Sequence, residues 1–202
     1  RRENYVHYQC RHISGFDFAN LEHRVMRNGA YETDLPAIRN EIKAGEPVLP
    51  RDYREAQAAS NRPVKITMPG PLTIIDTTAD CYYGDDAKLA RALADVLNRE
   101  VLALAEAGCK HIQVDEPIFA RKPEAALSFG IETLERIFHG VPDDVTRIAH
   151  MCCGYPDRID NPDYPKADHG VYHDLVEALD GKIDALSNED CHCKNDLSLF
   201  EK

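Results

Sequence analysis

The sequence predicts an α/β fold of parallel βαβ units, and among such folds a (β/α)8 TIM barrel of which residues 1–202 hold only part. Three observations lead there. From Val64 onward, short strand-like runs alternate with stretches of helical spacing. The polar residues of successive units gather at strand C-terminal ends: Asp115 and Glu116, then His150 and Cys152, then Glu189. No glycine-rich phosphate loop follows any strand, which leaves the dinucleotide-binding form of the doubly wound sheet without support. Open sheets also use strand C-termini, but mostly at one switch point, whereas barrels draw on several strands.

The elements follow in order. The first sixty residues are the least periodic. There Gly15-Phe16-Asp17-Phe18 reads as a turn followed by an apolar anchor, and Arg27-Asn28-Gly29-Ala30 as a turn. Residues 47–50 read as a loop leading into a helix over 51–59. A strand over 64–68 is ended by Pro69-Gly70-Pro71. Residues 85–107 carry Leu89, Leu93, Val96, Leu97 and Val101 at helical spacing. Asp85 or Asp86 is placed to cap that helix and Gly108 to end it. Next come a strand over 111–115 stopped by Pro117, a helix over 123–138 with Gly140 behind it, and a strand over 146–150. A short helix over 171–179, a strand over 183–187 and a helix beginning near Asp196 complete the pattern. All of it reads as one partial barrel domain, without internal repeat, low-complexity stretch or flexible linker. Arg1-Arg2-Glu3 holds no initiator Met and Phe200-Glu201-Lys202 reads as a helix cut short, so both ends are expected to be fragment ends.

Composition narrows the function classes. A formal net charge of −11 argues against a nucleic-acid-binding surface, which needs clustered Lys and Arg. No apolar run is long enough to span a membrane and no signal peptide is visible, so a cytoplasmic protein handling small molecules is expected. Seven cysteines, an odd number, argue against a disulfide framework and for a reducing compartment. Cys10, Cys81 and Cys109 lie far apart and read as ordinary thiols, while Cys152, Cys153, Cys191 and Cys193 cluster with histidines.

The central group is His150-Met151-Cys152. Residues i and i+2 of a strand point to one side, so an extended backbone lets the imidazole and the thiolate reach one point. Both are preferred zinc ligands, although an H-x-C triplet alone is weak evidence and better fits a buried strand end. Glu189 closes the next strand, and a carboxylate there can complete an N, S, O set around zinc; a solvated acid in an acidic loop is the alternative. In Asp115-Glu116-Pro117 one carboxylate can hold a substrate ammonium or serve as acid or base. The pair can equally be surface acids or a helix-dipole contact.

These pieces together resemble the C-terminal catalytic domain of cobalamin-independent methionine synthase and its short relatives. The matching segments run in order: Gly15-Phe16-Asp17-Phe18, Gly70-Pro71-Leu72-Thr73, Ile112-Gln113-Val114-Asp115-Glu116-Pro117, His150-Met151-Cys152, Ser187-Asn188-Glu189 and Asn195-Asp196-Leu197-Ser198-Leu199-Phe200-Glu201. The resemblance implies Zn2+ held by His150, Cys152 and Glu189, with a further Cys beyond Lys202. Cys191 and Cys193 follow the Glu too closely to be its equivalents, and Cys153 points away from Cys152 if the strand persists. It implies that Asp115 binds the amino group of homocysteine, sharing the task with a Glu just before Arg1. Glu116, Met68 and Arg121 are read as further substrate contacts, and the proton donor is expected outside residues 1–202. The partners implied are a small-molecule thiol and an electrophilic methyl or alkyl donor, with a homo-oligomer left open.

Two departures concern the donor. The family's Trp after the Gly-Pro-x-Thr segment has no counterpart in Ile74-Ile75-Asp76-Thr77-Thr78, and the chain contains no Trp. Arg121 stands where the family has a pterin-binding Glu. The leading expectation is methyl transfer of the 5-methyltetrahydropteroyltriglutamate–homocysteine S-methyltransferase type. The alternative is zinc-dependent epoxide opening by a small thiol, as in epoxyalkane:coenzyme M transferase, where an Arg suits an anionic group on the substrate.

Overall fold

A computed structural model describes residues 4–26, 31–152, 169–188 and 198. The chain opens with helix α1 (Tyr5–Cys10), whose first turn is capped by Asn4: its side-chain oxygen accepts from the Val6 N–H at 2.9 Å. Two long strands follow, β1 (Ile13–Met26) and β2 (Tyr31–Ala44), paired antiparallel from Ile13 opposite Ala44 to Met26 opposite Tyr31. The Gly15-Phe16-Asp17-Phe18 segment therefore lies inside a strand, a correction to the turn expected of it. The turn-like residues are there because the pairing register slips twice beside them, between Ser14 and Phe16 and between Asp17 and Glu22. Gly15 sits at φ +105°, and a Cβ there would fall 2.9 Å from the carbonyl oxygens of Asn40 and Glu41, so only glycine fits this bulge. Asp17 accepts from the backbone N–H groups of Ala19 (2.8 Å) and Asn20 (2.9 Å), a local turn that competes with the ladder. Residues 27–30, read as a turn, and the helix expected near Asp196 lie outside the described residues, Ser198 aside.

Beyond α2 (Leu49–Ala58) the alternation read from the sequence appears. Strands β3 (Ile66–Pro69), β5 (His111–Asp115), β6 (Thr146–Met151) and β7 (Ala185–Asn188) form one parallel sheet in that order. Between β3 and β5 run α3 (Pro71–Asp76), the two-residue β4 (Ala79–Asp80), which joins β2, and α4 (Asp86–Glu106). From β5 to β6 the chain passes through α5 (Pro123–Ala125), a π-helical turn over Ala126–Gly130 and α6 (Ile131–Ile137), so the single helix expected over 123–138 is present with one wide turn. Helix α7 (His169–Leu179) leads to β7. Among the described residues the sheet is open, with β3 and β7 at its edges.

The core lies between this sheet and its helices. Leu89, Leu93, Leu97, Val101 and Leu104 of α4 are fully buried against Ile112 and Val114 of β5 and Leu134 and Ile137 of α6. These positions recur at the helical period, which is why the helix could be read from sequence. Asp85 caps α4 through a side-chain oxygen that accepts from the Lys88 N–H at 3.0 Å. Asp85→Ala is expected to lower stability by about 1 kcal/mol, measurable as a drop in the thermal midpoint of the full-length protein. No described helix is long and apolar enough to cross a membrane.

The strand period divides the sheet into two faces. Ile112, Val114, Ala149 and Met151 turn toward the helices and are buried. Their neighbours in sequence, Gln113, Asp115, Ile148 and His150, take the opposite face, and the in-register pairing brings Asp115 of β5 beside His150 of β6 and His150 beside Ser187 of β7. This polar face, and above all its C-terminal edge, carries the candidate chemistry.

Candidate functional site

Four parallel strands end together at this edge. The backbone ties them: the Gly70 N–H donates to the Asp115 carbonyl at 2.9 Å, and the Glu116 N–H donates to the His150 carbonyl at 2.8 Å. Asp115 and His150 are therefore fixed as neighbours by the ladder itself, independent of their side chains.

Asp115 is held by a string of polar groups on the same face. Lys65 donates to the Gln113 side-chain oxygen at 2.6 Å, which orients that amide so that its NH2 donates to Asp115 Oδ1, also at 2.6 Å. The phenol of Tyr5, on α1, is near enough to bear on the charge of the Asp115 carboxylate. Burial pushes the Asp115 carboxyl up, and the hydrogen bonds and the facing His150 and Lys65 work against that rise. Burial and the nearby Asp115 and Glu116 carboxylates push the Tyr5 phenol well above its ordinary value, so it stays protonated.

His150 is half-buried, and its Nδ1 lies 3.2 Å from the Ser187 hydroxyl. A partner on Nδ1 leaves Nε2 as the nitrogen open to a metal and sets the ring's orientation, the usual arrangement behind a metal-bound histidine. Cys152 follows two residues later, 2% exposed, its thiol close enough to Tyr5 to bear on that phenol. The donors at the end of β6, an imidazole at position 150 and a sulfur at position 152, are ligand types that zinc prefers. Glu189, the third ligand expected, lies outside the described residues, as do Cys153, Cys191 and Cys193. Among the described residues no group of three His, Cys, Asp or Glu side chains is placed to hold a metal.

Glu116 does not open onto the polar face. It is 1% exposed, and its carboxyl sits on the start of α3: Oε1 accepts from the Leu72 N–H at 2.9 Å and Oε2 from the Thr73 N–H at 3.0 Å. Thr73 Oγ1 stands 2.8 Å from Oε2 and 2.9 Å from the Asp115 carbonyl oxygen. One hydroxyl hydrogen serves one acceptor, so a proton on Glu116 lets both contacts form at once. Burial pushes this carboxyl up to about 8, with the Thr73 and Leu72 donors opposing the rise. The group thus fastens α3 to the tip of β5, directly beside Asp115.

Met68 is fully buried, and its register opposite Val114 places it on the helix-packed face, so it packs the core and does not reach the polar edge. Arg121 donates to Asp76 at the end of α3 at 2.8 Å, and Lys122 reaches the other oxygen of the same carboxylate at 2.8 Å. Sequence reasoning passed over three contributors here. Gln113 was legible in principle, lying on the same strand face as Asp115 two positions on, and Ser187 lies on the strand that pairs with β6, opposite His150. Tyr5 carried no signal, because α1 meets the sheet only through the tertiary fold.

Comparison with known proteins bears on this edge. The family model described as cobalamin-independent synthase, catalytic domain, matches residues 1–160, which include Asp115, His150 and Cys152 and stop short of Glu189. The methionine synthase of Saccharolobus solfataricus is 32% identical over 155 residues, covering 76% of this chain and 45% of that protein. The methionine synthase of Sulfurisphaera tokodaii is 33% identical over 156 residues, covering 76% and 44%. The chain thus spans about half the length of the curated relatives it matches. Among solved structures, the B12-independent methionine synthase from Shewanella sp. W3-18-1 in complex with selenomethionine aligns with a TM-score of 0.70 and 31% identity over 76% of this chain and 44% of that one. A putative vitamin-B12-independent methionine synthase from Listeria monocytogenes shares the fold at a TM-score of 0.60 and 19% identity, over 86% and 49%. With most of its length matched by the family model and its strand tips carrying the expected residues, this chain belongs to the cobalamin-independent synthase catalytic-domain family.

Proposed function

We propose that residues 1–202 form the thiol- and metal-binding part of a zinc-dependent methyltransferase that passes a methyl group to the sulfur of homocysteine, and that the four parallel strands belong to a (β/α)8 barrel. The observation that supports this reading is the pairing of Asp115 with His150 at adjacent strand tips, two residues before Cys152, in a chain of this family. A relative with 31% identity was solved with selenomethionine, an analogue of methionine, which supports an amino-acid site in this fold.

Zinc when bound would lower the pKa of the substrate thiol and present it as a thiolate at neutral pH. His150 Nε2, the Cys152 sulfur and Glu189 would hold it, and Ser187 fixes the imidazole from behind. Asp115 receives the substrate ammonium, which orients the amino acid so that its sulfur points toward His150 and Cys152. Glu116 acts through position: by anchoring α3 to the tip of β5 it sets the backbone on which Asp115 stands. In the transfer a carbon–sulfur bond forms, the bond from carbon to the donor's leaving atom breaks, and that atom takes up a proton. No described residue is assigned as the proton's source.

Epoxide opening by a small thiol is less well supported. Its argument rested on the missing Trp and on Arg121 as an anion seat, and that guanidinium is engaged with Asp76. The relatives described above are methionine synthases, which favours methyl transfer.

The test is metal analysis and turnover of the full-length protein. Zinc near one equivalent, lost on chelation together with methionine formation from homocysteine and a methyl-folate, is the expected result. Full turnover in zinc-free protein would overturn the reading, as would a product formed only from an epoxide and a thiol.

A further inference from the structure

We propose that Lys65 and Gln113 are positioning residues of this site, which together hold the Asp115 carboxylate in the one setting that selects thiols bearing an α-ammonium group. The proposal rests on the methyltransferase reading above and extends it to a residue beside the N-terminal end of β3, at the far end of the sheet from the strand tips.

The three side chains have only one compatible order. Lys65 Nζ donates to Gln113 Oε1 at 2.6 Å, and Gln113 Nε2 donates to Asp115 Oδ1 at 2.6 Å. An ammonium carries donors only and an ionised carboxylate acceptors only, so the amide between them turns its oxygen to Lys65 and its NH2 to Asp115. The reverse setting would put N–H against N–H and oxygen against oxygen. A hydroxyl in the place of Lys65 could accept as well as donate, and would leave both settings open at that end. The cation at one end of the relay thus decides what the amide presents at the other.

The backbone gives this relay a rigid base. Gln113 is 6% exposed and sits inside the sheet, in register with Thr67 of β3 on one side and Ile148 of β6 on the other. Its Cα cannot shift without disturbing both ladders. Asp115, two residues on, is only half-buried, so water competes for its oxygens. An ionised carboxylate offers about four lone-pair directions. A donor held at 2.6 Å on Oδ1 takes one of them and steadies the group, so the remaining directions keep a constant aim. An ammonium can use those lone pairs; a thiol lacking the amine gains nothing from them. Fixing the carboxylate before the substrate arrives removes an ordering cost from binding, and only the amine-bearing thiol benefits.

The experiment compares kcat and KM of the full-length enzyme for homocysteine and for 4-mercaptobutanoate, the same thiol without its amine. The variants are Gln113→Met, which keeps the chain length and deletes both ends of the amide, Lys65→Met, which keeps the stem and deletes the charge, the double variant, and Asp115→Asn. Gln113→Met is expected to reduce the preference for homocysteine about tenfold, the scale of one hydrogen bond to a charged group. The loss should fall on KM for homocysteine, with kcat little altered and zinc content as in wild type. Lys65→Met should reduce the preference about threefold, as for a group coupled through a shared partner. In the Gln113→Met background it should cost nothing further. A Gln113→Met enzyme with undiminished preference, where Asp115→Asn loses it, overturns the proposal. So does a Lys65→Met loss that persists in full beside Gln113→Met, because Lys65 then acts by its charge alone and not through the amide. Equal losses on both thiols, the signature of a merely structural role, overturn it too. An Asp115→Asn enzyme with full preference overturns the assignment of Asp115 to the ammonium, and this proposal with it.

Discussion

His150→Ala is expected to strip zinc from the full-length protein and to remove turnover, while Ser187→Ala weakens both in a graded way. The ordering follows from where each group stands. Ser187 contacts Nδ1 of the imidazole at 3.2 Å and acts on the metal only through the ring's orientation and basicity. Losing such a partner costs roughly 10–100-fold in metal affinity or activity. Losing the ligand itself removes a bond to the metal and must exceed that range. Both residues lie on the polar face, away from the buried Ala149 and Met151, so neither substitution opens the core. Titration of each variant with zinc against a competing chelator, beside methionine formation, checks the order. A His150→Ala protein that keeps zinc within tenfold of wild type would remove His150 from the metal site.

Gly70→Ala is expected to be the most damaging small substitution for stability near the site. A Cβ at Gly70 would sit 2.2 Å from Oε1 and 2.5 Å from Cγ of Glu116. Glu116 cannot yield, because it is buried and its two oxygens are held by the first turn of α3. Overpacking of this kind costs about 3 kcal/mol, and the thermal midpoint of the full-length protein reports it. The same carboxyl gives a pH dependence whose sign is fixed. In the folded protein Glu116 keeps its proton up to about pH 8, whereas its ordinary value is 4.5. Between these values the folded state binds more protons than the unfolded one, so this group's stabilisation is complete below pH 4.5 and is lost as pH rises through 8. The slope it contributes is at most about 1.4 kcal/mol per pH unit. Glu116→Gln carries no titrating group there, so the stability difference between wild type and variant should shrink steadily from pH 5 to pH 8. A constant difference across that window would mean that Glu116 is ionised throughout.

The long amphipathic elements were open to reading from the sequence for a local reason. Helix α4 advertises itself because Leu89, Leu93, Leu97, Val101 and Leu104 repeat at the period of the helix that buries them, between the capping Asp85 and Gly108. Strand β5 was legible over its full range because a buried parallel strand is a short apolar run closed by proline. The β1–β2 ribbon was not legible. Its register slips twice, so the alternation that marks a strand is interrupted by Gly15 and by the Asp17 turn, and its pairing depends on residues up to 31 positions apart, such as Ile13 and Ala44.

The candidate site divides in the same way. The sequence by itself determined the family and placed Asp115 and His150 at the ends of successive parallel strands, because strand order in a βαβ fold turns positions along the chain into positions along one edge. Only the tertiary structure decided which of the chosen side chains face that edge. It turned Met68 into the core through its register with Val114, buried Glu116 under the start of α3, and paired Arg121 with Asp76. It also brought Tyr5 to Asp115 across 110 positions of chain, a meeting that no local pattern encodes because it depends on how a helix packs against a sheet formed much later.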